Sequence, residues 1–278
     1  MERDLTAVEF QRFHDHIYTL TGIHYPPEKI ALLSNRLRRR LRACKQQSYD
    51  AYLGFLQNRQ NGSEVQEFID SVTTNETYFF RCQRHWDWFK GWAQERARDP
   101  ETRRHGLRIW SAAASCGAEA GTILIVLDQL LGRGFGGIRV EVLGTDLNAS
   151  ILEEAKEGIY RPYALAQTPP DIVKKYFKKL GEDQFQFDRE LSRPLTFQRH
   201  NLMEPLRGRT FDFVFLRNVM IYFDAPSKER VLSHIHDVLT PGGIVMVGES
   251  ESLMNIKHPF TYLKPSIFQK PLPVKARG

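Results

Sequence analysis

The run Phe211-Asp212-Phe213-Val214-Phe215-Leu216 constrains this chain more than any other stretch. It is almost entirely apolar and short, and it follows Gly208, the composition of a strand buried on both faces of a parallel sheet. The run stops at Arg217-Asn218, where the pattern leads one to expect another core residue, and an aromatic hydroxyl follows at Tyr222. Ligands of open α/β sheets bind at the carboxyl ends of strands, so the polar pair and the phenol read as the floor of a site. An ordinary strand end with solvated polar residues fits the same stretch, and the surrounding chain must decide.

Upstream, β and α patterns alternate. Residues 107–112 read as a strand and 122–131 as a helix. Between them lies Ala113-Ala114-Ser115-Cys116-Gly117-Ala118-Glu119, a turn of small residues that lets a ligand approach backbone N–H groups near a helix start. A second strand, 140–145, ends in Asp146, and an acid at that place accepts hydrogen bonds from ribose hydroxyls. Residues 148–157 read as a helix. The turn holds one glycine, not G-x-G-x-x-G, and no G-K-[ST] occurs, so no pyrophosphate cradle is present. An adenosine carrier without phosphates fits better, and S-adenosylmethionine is one. From 159 to 197 the alternation lapses. A helix over 170–179 precedes QFQFD and PLTFQ, short strands of an inserted β element. A helix over 226–239, a Pro241-Gly242-Gly243 turn, a strand over 244–248 and a hairpin within 260–269 complete the sheet.

The first hundred residues read as helices, with a helical domain over 1–75 and a linking segment with a helix over 76–106. Thr6 and Glu9 form a capping box ahead of Phe10, Phe13 and Ile17. A second helix, 28–44, carries Ile30, Leu33, Leu37, Leu41 and Cys44 on one stripe. Its charged positions from Lys29 to Lys45 are all basic, with no acid among them. Solvated helix faces normally mix signs. Unrelieved positive charge therefore predicts an anionic partner, met by Arg36, Arg39, Arg40 and Arg42 on the exposed face. Shorter helices are expected over 49–56 and 64–72, and another through His85, Trp88, Phe89 and Trp92. The polar segment 97–106 reads as a boundary before the 107–278 domain.

The net charge of +6 also favours an acidic partner. No apolar run approaches the ~20 residues of a membrane span, and the first residues lack a signal-peptide core, so a cytoplasmic protein is expected. Cys44, Cys82 and Cys116 are odd in number and far apart, which suits neither a disulfide framework nor a zinc site. No metal is expected. Nucleic acid is disfavoured, because no aromatic-rich platform for single strands stands beside the basic helix.

The segments TTNETYFFR, IWSAA-x-S-x-G-x-E, GTDLNASILEEAKEGIY, FLRNVMIYF and LTPGGIVMVGESES occur in the order and spacing of the chemotaxis receptor methyltransferases, the CheR family, which the chain resembles over nearly its whole length. The resemblance implies an α/β fold: a Rossmann-like class I methyltransferase domain, a small all-helical N-terminal domain and an inserted antiparallel β-subdomain. It implies S-adenosyl-L-methionine as cofactor, contacted by Asn75, Thr77, Arg81, Glu119, Asp146, Asn201, Leu202, Arg217 and Asn218, with Gly117 in the turn. Asp146 would hold the ribose, Asn201 and Leu202 would border the adenine, and Arg81 and Tyr222 would lie near the transferred methyl. The implied reaction forms methyl esters on glutamates of acidic receptor helices, which the cationic helix would steer. A monomer is expected. The compact turn in KKLGEDQFQFD implies recognition without a tether to the receptor C-terminal tail. The family usually has G-E-E-P-Y-S at the first turn. Here Gly117-Ala118-Glu119-Ala120-Gly121-Thr122 lacks one acid, the proline and the aromatic ring, and Glu249 stands where a His is common. A cofactor-binding regulatory or scaffold protein with reduced turnover is the alternative these departures raise.

Overall fold

A computed structural model describes residues 3–273. Four helices form the N-terminal unit: α1 (Ala7–Thr21), α2 (Ile30–Ala43), α3 (Tyr49–Gln57) and α4 (Gly62–Val72). The capping box forms at α1, where Thr6 accepts from the Glu9 N–H and Glu9 accepts from the Thr6 N–H. Each helix contributes one apolar stripe to a shared core that includes Phe13, Leu37, Tyr52 and Phe68.

After α4 the chain runs without regular structure from Thr73 to Tyr78, then forms α5 (Gln83–Arg98) and α6 (Pro100–His105). The second helix corrects the expected irregular boundary at 97–106. Asp99 caps it by accepting from the Glu101 N–H, and Pro100 is preset for its first turn.

The α/β domain follows as β1 (Leu107–Ala112), α7 (Ala118–Leu131), β2 (Val140–Asp146) and α8 (Ala149–Glu157), then β3 (Ile159–Tyr160), α9 (Pro162–Leu165), α10 (Pro170–Tyr176), β4 (Phe177–Lys179), β5 (Phe185–Phe187) and β6 (Leu195–Arg199). It ends with β7 (Phe211–Leu216), α11 (Ala225–Val238), β8 (Leu239–Val247), β9 (Thr261–Lys264) and β10 (Ile267–Gln269). The main sheet has the order β6-β2-β1-β7-β8-β10-β9. The first five of these pair in parallel, and β10 and β9 add antiparallel. Every residue of β7 is buried, as its composition requires.

Four expected boundaries move. α7 begins one turn earlier than 122, because Gly117 starts it in the left-handed conformation. The helix expected over 170–179 stops at Tyr176 and continues as β4. β8 begins at Leu239, and Pro241-Gly242-Gly243 lies within it as an irregularity opposite Phe211 and Phe213. The PLTFQ strand is not part of the insertion. It is β6, parallel to β2 through Val142–Leu195 and Asp146–Arg199, so the inserted sheet consists of β3, β5 and β4 alone. Next to that small sheet, α10 docks on α7 at buried Asp128, which accepts from the Tyr176 hydroxyl at 2.8 Å.

Strand order runs outward in both directions from β1, so β1 and β7 flank the topological switch point. The N-terminal unit closes over this end of the sheet from two sides. On one, Asp70 accepts from the Ala149 and Ser150 N–H groups at 3.1 and 3.0 Å, capping α8 from another domain. On the other, Ile23 pairs with Phe223 in a β-bridge, His24 N–H donates to the Tyr222 carbonyl at 2.8 Å, and Asn201 donates to the Leu20 carbonyl at 2.9 Å.

Candidate active site

A cleft of about 1170 Å³, counted out to open solvent, lies between the two units at the carboxyl ends of the parallel strands. Four of the five parallel strands supply a wall: Ala113 and Ser115 after β1, Asp146 at the end of β2, His200 to Leu202 after β6, and Arg217 to Val219 after β7. The strap of residues 73–78 crosses the side and brings Asn75 and Thr77 in. Lys29 and Leu32, at the start of α2, line the entrance.

The turn after β1 is conformationally costly. Ala113 and Ser115 have φ of 68° and 50°, in the left-handed region. What holds it is Asp146. Its carboxylate accepts from the Ser115 N–H at 2.9 Å and the Asn148 N–H at 3.0 Å. Burial pushes its pKa up, opposed by these backbone donors. Each carboxylate oxygen receives one backbone donor here and keeps capacity for another, so a diol can still be bound.

Glu119, in the first turn of α7, accepts from Ser111 Oγ at 2.6 Å and from Arg217 Nη1 at 2.9 Å. Arg217 is 6% exposed, packs on the Trp86 ring and donates to the Arg81 carbonyl. Its Nε has no partner among the described residues. The polar residue that interrupts the apolar pattern after β7 is therefore a buried cation, neutralised by the acid of the first turn. Asn218 follows with φ 59°, a position asparagine tolerates better than most residues. Arg81 lies over the Tyr78 ring at 5.6 Å and donates to the Glu76 carbonyl at 3.1 Å. Asn75, Thr77 and Asn218 line the cleft, and their side chains have no hydrogen-bond partner among the described residues.

Of the residues singled out from sequence, the cleft brings together Asn75, Thr77, Arg81, Glu119, Asp146, Asn201, Leu202, Arg217, Asn218 and Tyr222. Leu202 serves two ends, since it is also 7% exposed within the core under α11. Gly117 is not in the cleft lining. Its φ is 82°, and a Cβ there would lie 2.7 Å from Phe197, so it shapes the turn from behind.

The four arginines expected on one exposed face of α2 divide. Arg39 and Arg42 are exposed and have no partner among the described residues. Arg40 turns inward, donating to Glu64 and Glu67 of α4. Arg36 is half-buried and bonds Tyr25, Val72 and Thr74. The acids missing from α2 itself are thus supplied from elsewhere in the fold, Asp4 also pairing with Arg38.

One residue of the site was not read from the sequence. Glu251 is 7% exposed and accepts from the N–H groups of Asn218 at 2.9 Å and Ile221 at 3.2 Å, and also from Gly248. Burial raises its pKa, against the pull of those donors. A buried carboxylate with three backbone donors fixes the loop that carries Asn218 and Tyr222. The available signal was an acid shortly after Gly248, the glycine that follows β8.

The region described as the CheR methyltransferase SAM-binding domain matches residues 75–268, and the CheR methyltransferase all-alpha domain matches residues 8–73. The chain belongs to the CheR methyltransferase family. A chemotaxis protein methyltransferase of Salmonella typhimurium is 36% identical over 270 residues, covering 95% of this chain and 90% of its own. Those of Escherichia coli and Borreliella burgdorferi are 33% and 30% identical, covering 95% and 96% of this chain and 91% and 95% of theirs.

The protein is a methyltransferase, and its cofactor is S-adenosyl-L-methionine. The donor set fits that molecule: a carboxylate with spare acceptor capacity for a ribose, a Glu119–Arg217 pair of opposite charges for a zwitterionic amino acid, and apolar Leu202 and Phe223 in the cleft lining. The departures in the first turn leave this set intact. Where the family has an aromatic ring, Gly121 faces the ring of Phe79, just beyond the strap, which a Cβ would approach at 2.7 Å. The aromatic contact comes from another segment, and nothing in the cleft supports a scaffold that has lost turnover. Cys116 is half-buried against the core, and burial raises its thiol pKa, as suits a packing residue.

Proposed function

We propose that the protein forms methyl esters on glutamate side chains of chemoreceptor cytoplasmic helices, setting adaptation in a chemosensory pathway. The observation that carries the reading is the placement of the cofactor cleft. Its entrance is bordered by Lys29 and Leu32, at the head of the helix whose outer face presents Arg39 and Arg42. An acidic helix laid along that face brings its carboxylates to the cleft mouth, and the charges steer its approach.

When bound, S-adenosylmethionine supplies an activated methyl group on a sulfonium. The acceptor, a glutamate with ordinary pKa of about 4.3, is already ionised at neutral pH, so no strong base is needed. The residues of this chain position the reactants. Asp146 anchors, Glu119 and Arg217 orient, and the Glu251-held loop sets Tyr222 in the cleft wall. Placing groups in line at near-attack distance removes several kcal/mol of barrier. Arg81 orients the incoming carboxylate without a second charge partner, which keeps the oxygen nucleophilic.

The turn from Leu180 to Gln184 is closed by Leu180 N–H on the Gln184 carbonyl at 2.9 Å. Such a short connection supports direct recognition of the receptor helices without a tail tether. The test is turnover with labelled S-adenosylmethionine on receptor cytoplasmic fragments, with and without their C-terminal tails. Equal incorporation on both, inhibited by S-adenosylhomocysteine, is expected. Incorporation only on tailed fragments contradicts the tether-free reading, and none on either contradicts the substrate.

A further inference from the structure

The strap of residues 73–78 presents Asn75 and Thr77 to the cleft but makes no helix or ladder of its own. A segment of that kind stays in place only through contacts from its neighbours. Midway, Ser115 Oγ donates to the Asn75 carbonyl at 2.6 Å. On the far side, the Tyr163 hydroxyl of the insertion donates to Glu76 Oε1 at 2.6 Å. At its root stands Arg36.

The Arg36 guanidinium sits at the C-terminus of α4, where the chain leaves the helix. Its Nη1 donates to the Val72 carbonyl and, at 2.7 Å, to the Tyr25 hydroxyl, while Nη2 donates to Thr74 Oγ1 at 2.8 Å. Tyr25, itself 5% exposed, donates to the same Val72 carbonyl. Carbonyls of a last helical turn lack partners within the helix and carry the negative end of its dipole. A planar fork can hold such a carbonyl and the residue two positions beyond it together, which fixes the direction in which the chain departs. A lysine, a point charge on a flexible stem, cannot reproduce that.

We infer that Arg36 is a positioning residue of the cofactor site. It sets the strap that delivers Asn75 and Thr77, and it does not read the acidic substrate as its place in a cationic run suggests. α2 then serves two sites: an outer face with Arg39 and Arg42 for the substrate, and Arg36 for the strap. This assignment rests on the proposed function, because the strap matters only if S-adenosylmethionine occupies the cleft.

The test compares the full chain with Arg36→Lys, Thr74→Val, the double variant and Arg39→Ala. Each is titrated calorimetrically with S-adenosylhomocysteine and assayed for methylation of a receptor fragment. Thermal unfolding confirms that each is folded. Arg36→Lys is expected to weaken S-adenosylhomocysteine binding roughly tenfold, the scale of a lost hydrogen bond to a charged group, with little change in KM for the receptor fragment. Thr74→Val should weaken it less, and the double variant should lose less than the product of the single effects, because both break one contact. Arg39→Ala should do the reverse, raising the receptor KM at unchanged S-adenosylhomocysteine affinity. Unchanged cofactor affinity in Arg36→Lys with a raised receptor KM would overturn the inference and return Arg36 to the substrate face. A lower melting temperature with unchanged affinity would equally overturn it, leaving a purely structural arginine. A wild-type chain that does not bind S-adenosylhomocysteine at all would sink the cofactor reading, and the inference with it.

Discussion

Asp146 does two jobs with one carboxylate, and its substitution separates them. It holds the strained turn through Ser115 and offers its remaining acceptor capacity to the ligand. Asp146→Asn keeps the shape but removes the charge and one acceptor. Calorimetry should show S-adenosylhomocysteine binding weakened by roughly 1.5–3 kcal/mol, and normal affinity in a folded variant would remove the residue from the site. Tyr222 is the contrasting case, with no bond to its hydroxyl among the described residues. Tyr222→Phe should lower kcat more than it weakens cofactor binding, and a normal kcat reduces it to a packing residue. Behind the site, His85 is 5% exposed, and burial, then Arg217, hold its pKa down to about 4. Between pH 6.5 and 4 the unfolded chain takes up this proton and the native chain does not. Stability is therefore full above 6.5 and is lost as pH falls towards 4. His16 and His200, also lowered by burial, act in the same direction. Melting temperatures across that range should fall with acid, and less steeply in His85→Phe. An unchanged slope would show that His85 is not the buried neutral group described. Asp146 and Arg217 were legible because each ends an apolar strand with a charge. Glu251 was not, because two of its three donors, Asn218 and Ile221, come from a loop some thirty residues earlier.

At the level of elements, legibility followed locality. β1 and β2 are bounded apolar runs and could be read almost to the residue. α6 carries a cap and an N-terminal proline but scarcely an apolar residue, so a helix looked like a polar linker. β6 is short and half polar, and only its pairing with β2 places it in the main sheet. The same limit applies to α2. Its stripe of Leu33, Leu37 and Leu41 was evident, but the acids that neutralise Arg40 lie on α4, twenty-four residues or more away. Two opposite outcomes follow. Arg40→Ala leaves Glu64, 8% exposed, without its cation and with only the Tyr52 hydroxyl and the weakly donating Cys44 thiol, and should cost about 1–3 kcal/mol in chemical denaturation. Arg39→Ala with Arg42→Ala should leave stability within about 0.5 kcal/mol of wild type. It should weaken receptor binding and flatten the decline of methylation with salt, since exposed charges act over about 10 Å at 0.1 M. A double variant that methylates normally at every salt concentration would make this face merely solvated.

The whole molecule places a cofactor cleft under the N-terminal helical unit, whose α2 presents Arg39 and Arg42 outward, and ties the two units together on both sides of the opening. Asp70 caps α8 on one flank, and the Ile23–Phe223 bridge and the His24 bond to Tyr222 close the other. These contacts join the N-terminal unit directly to the loop that carries Tyr222, so in the proposed reaction both border the mouth that a substrate carboxylate would enter. The central claim is that this carboxylate belongs to a glutamate side chain of a receptor helix. Its most direct test is to incubate a receptor cytoplasmic fragment with the protein and S-adenosylmethionine and to map the added methyl groups by peptide mass spectrometry before and after mild base. Methyl groups on glutamates of helical segments, lost as methanol in base, are the predicted result. A base-stable methyl group on nitrogen or sulfur, or an unmodified fragment alongside a wild-type chain that binds S-adenosylhomocysteine, would contradict it.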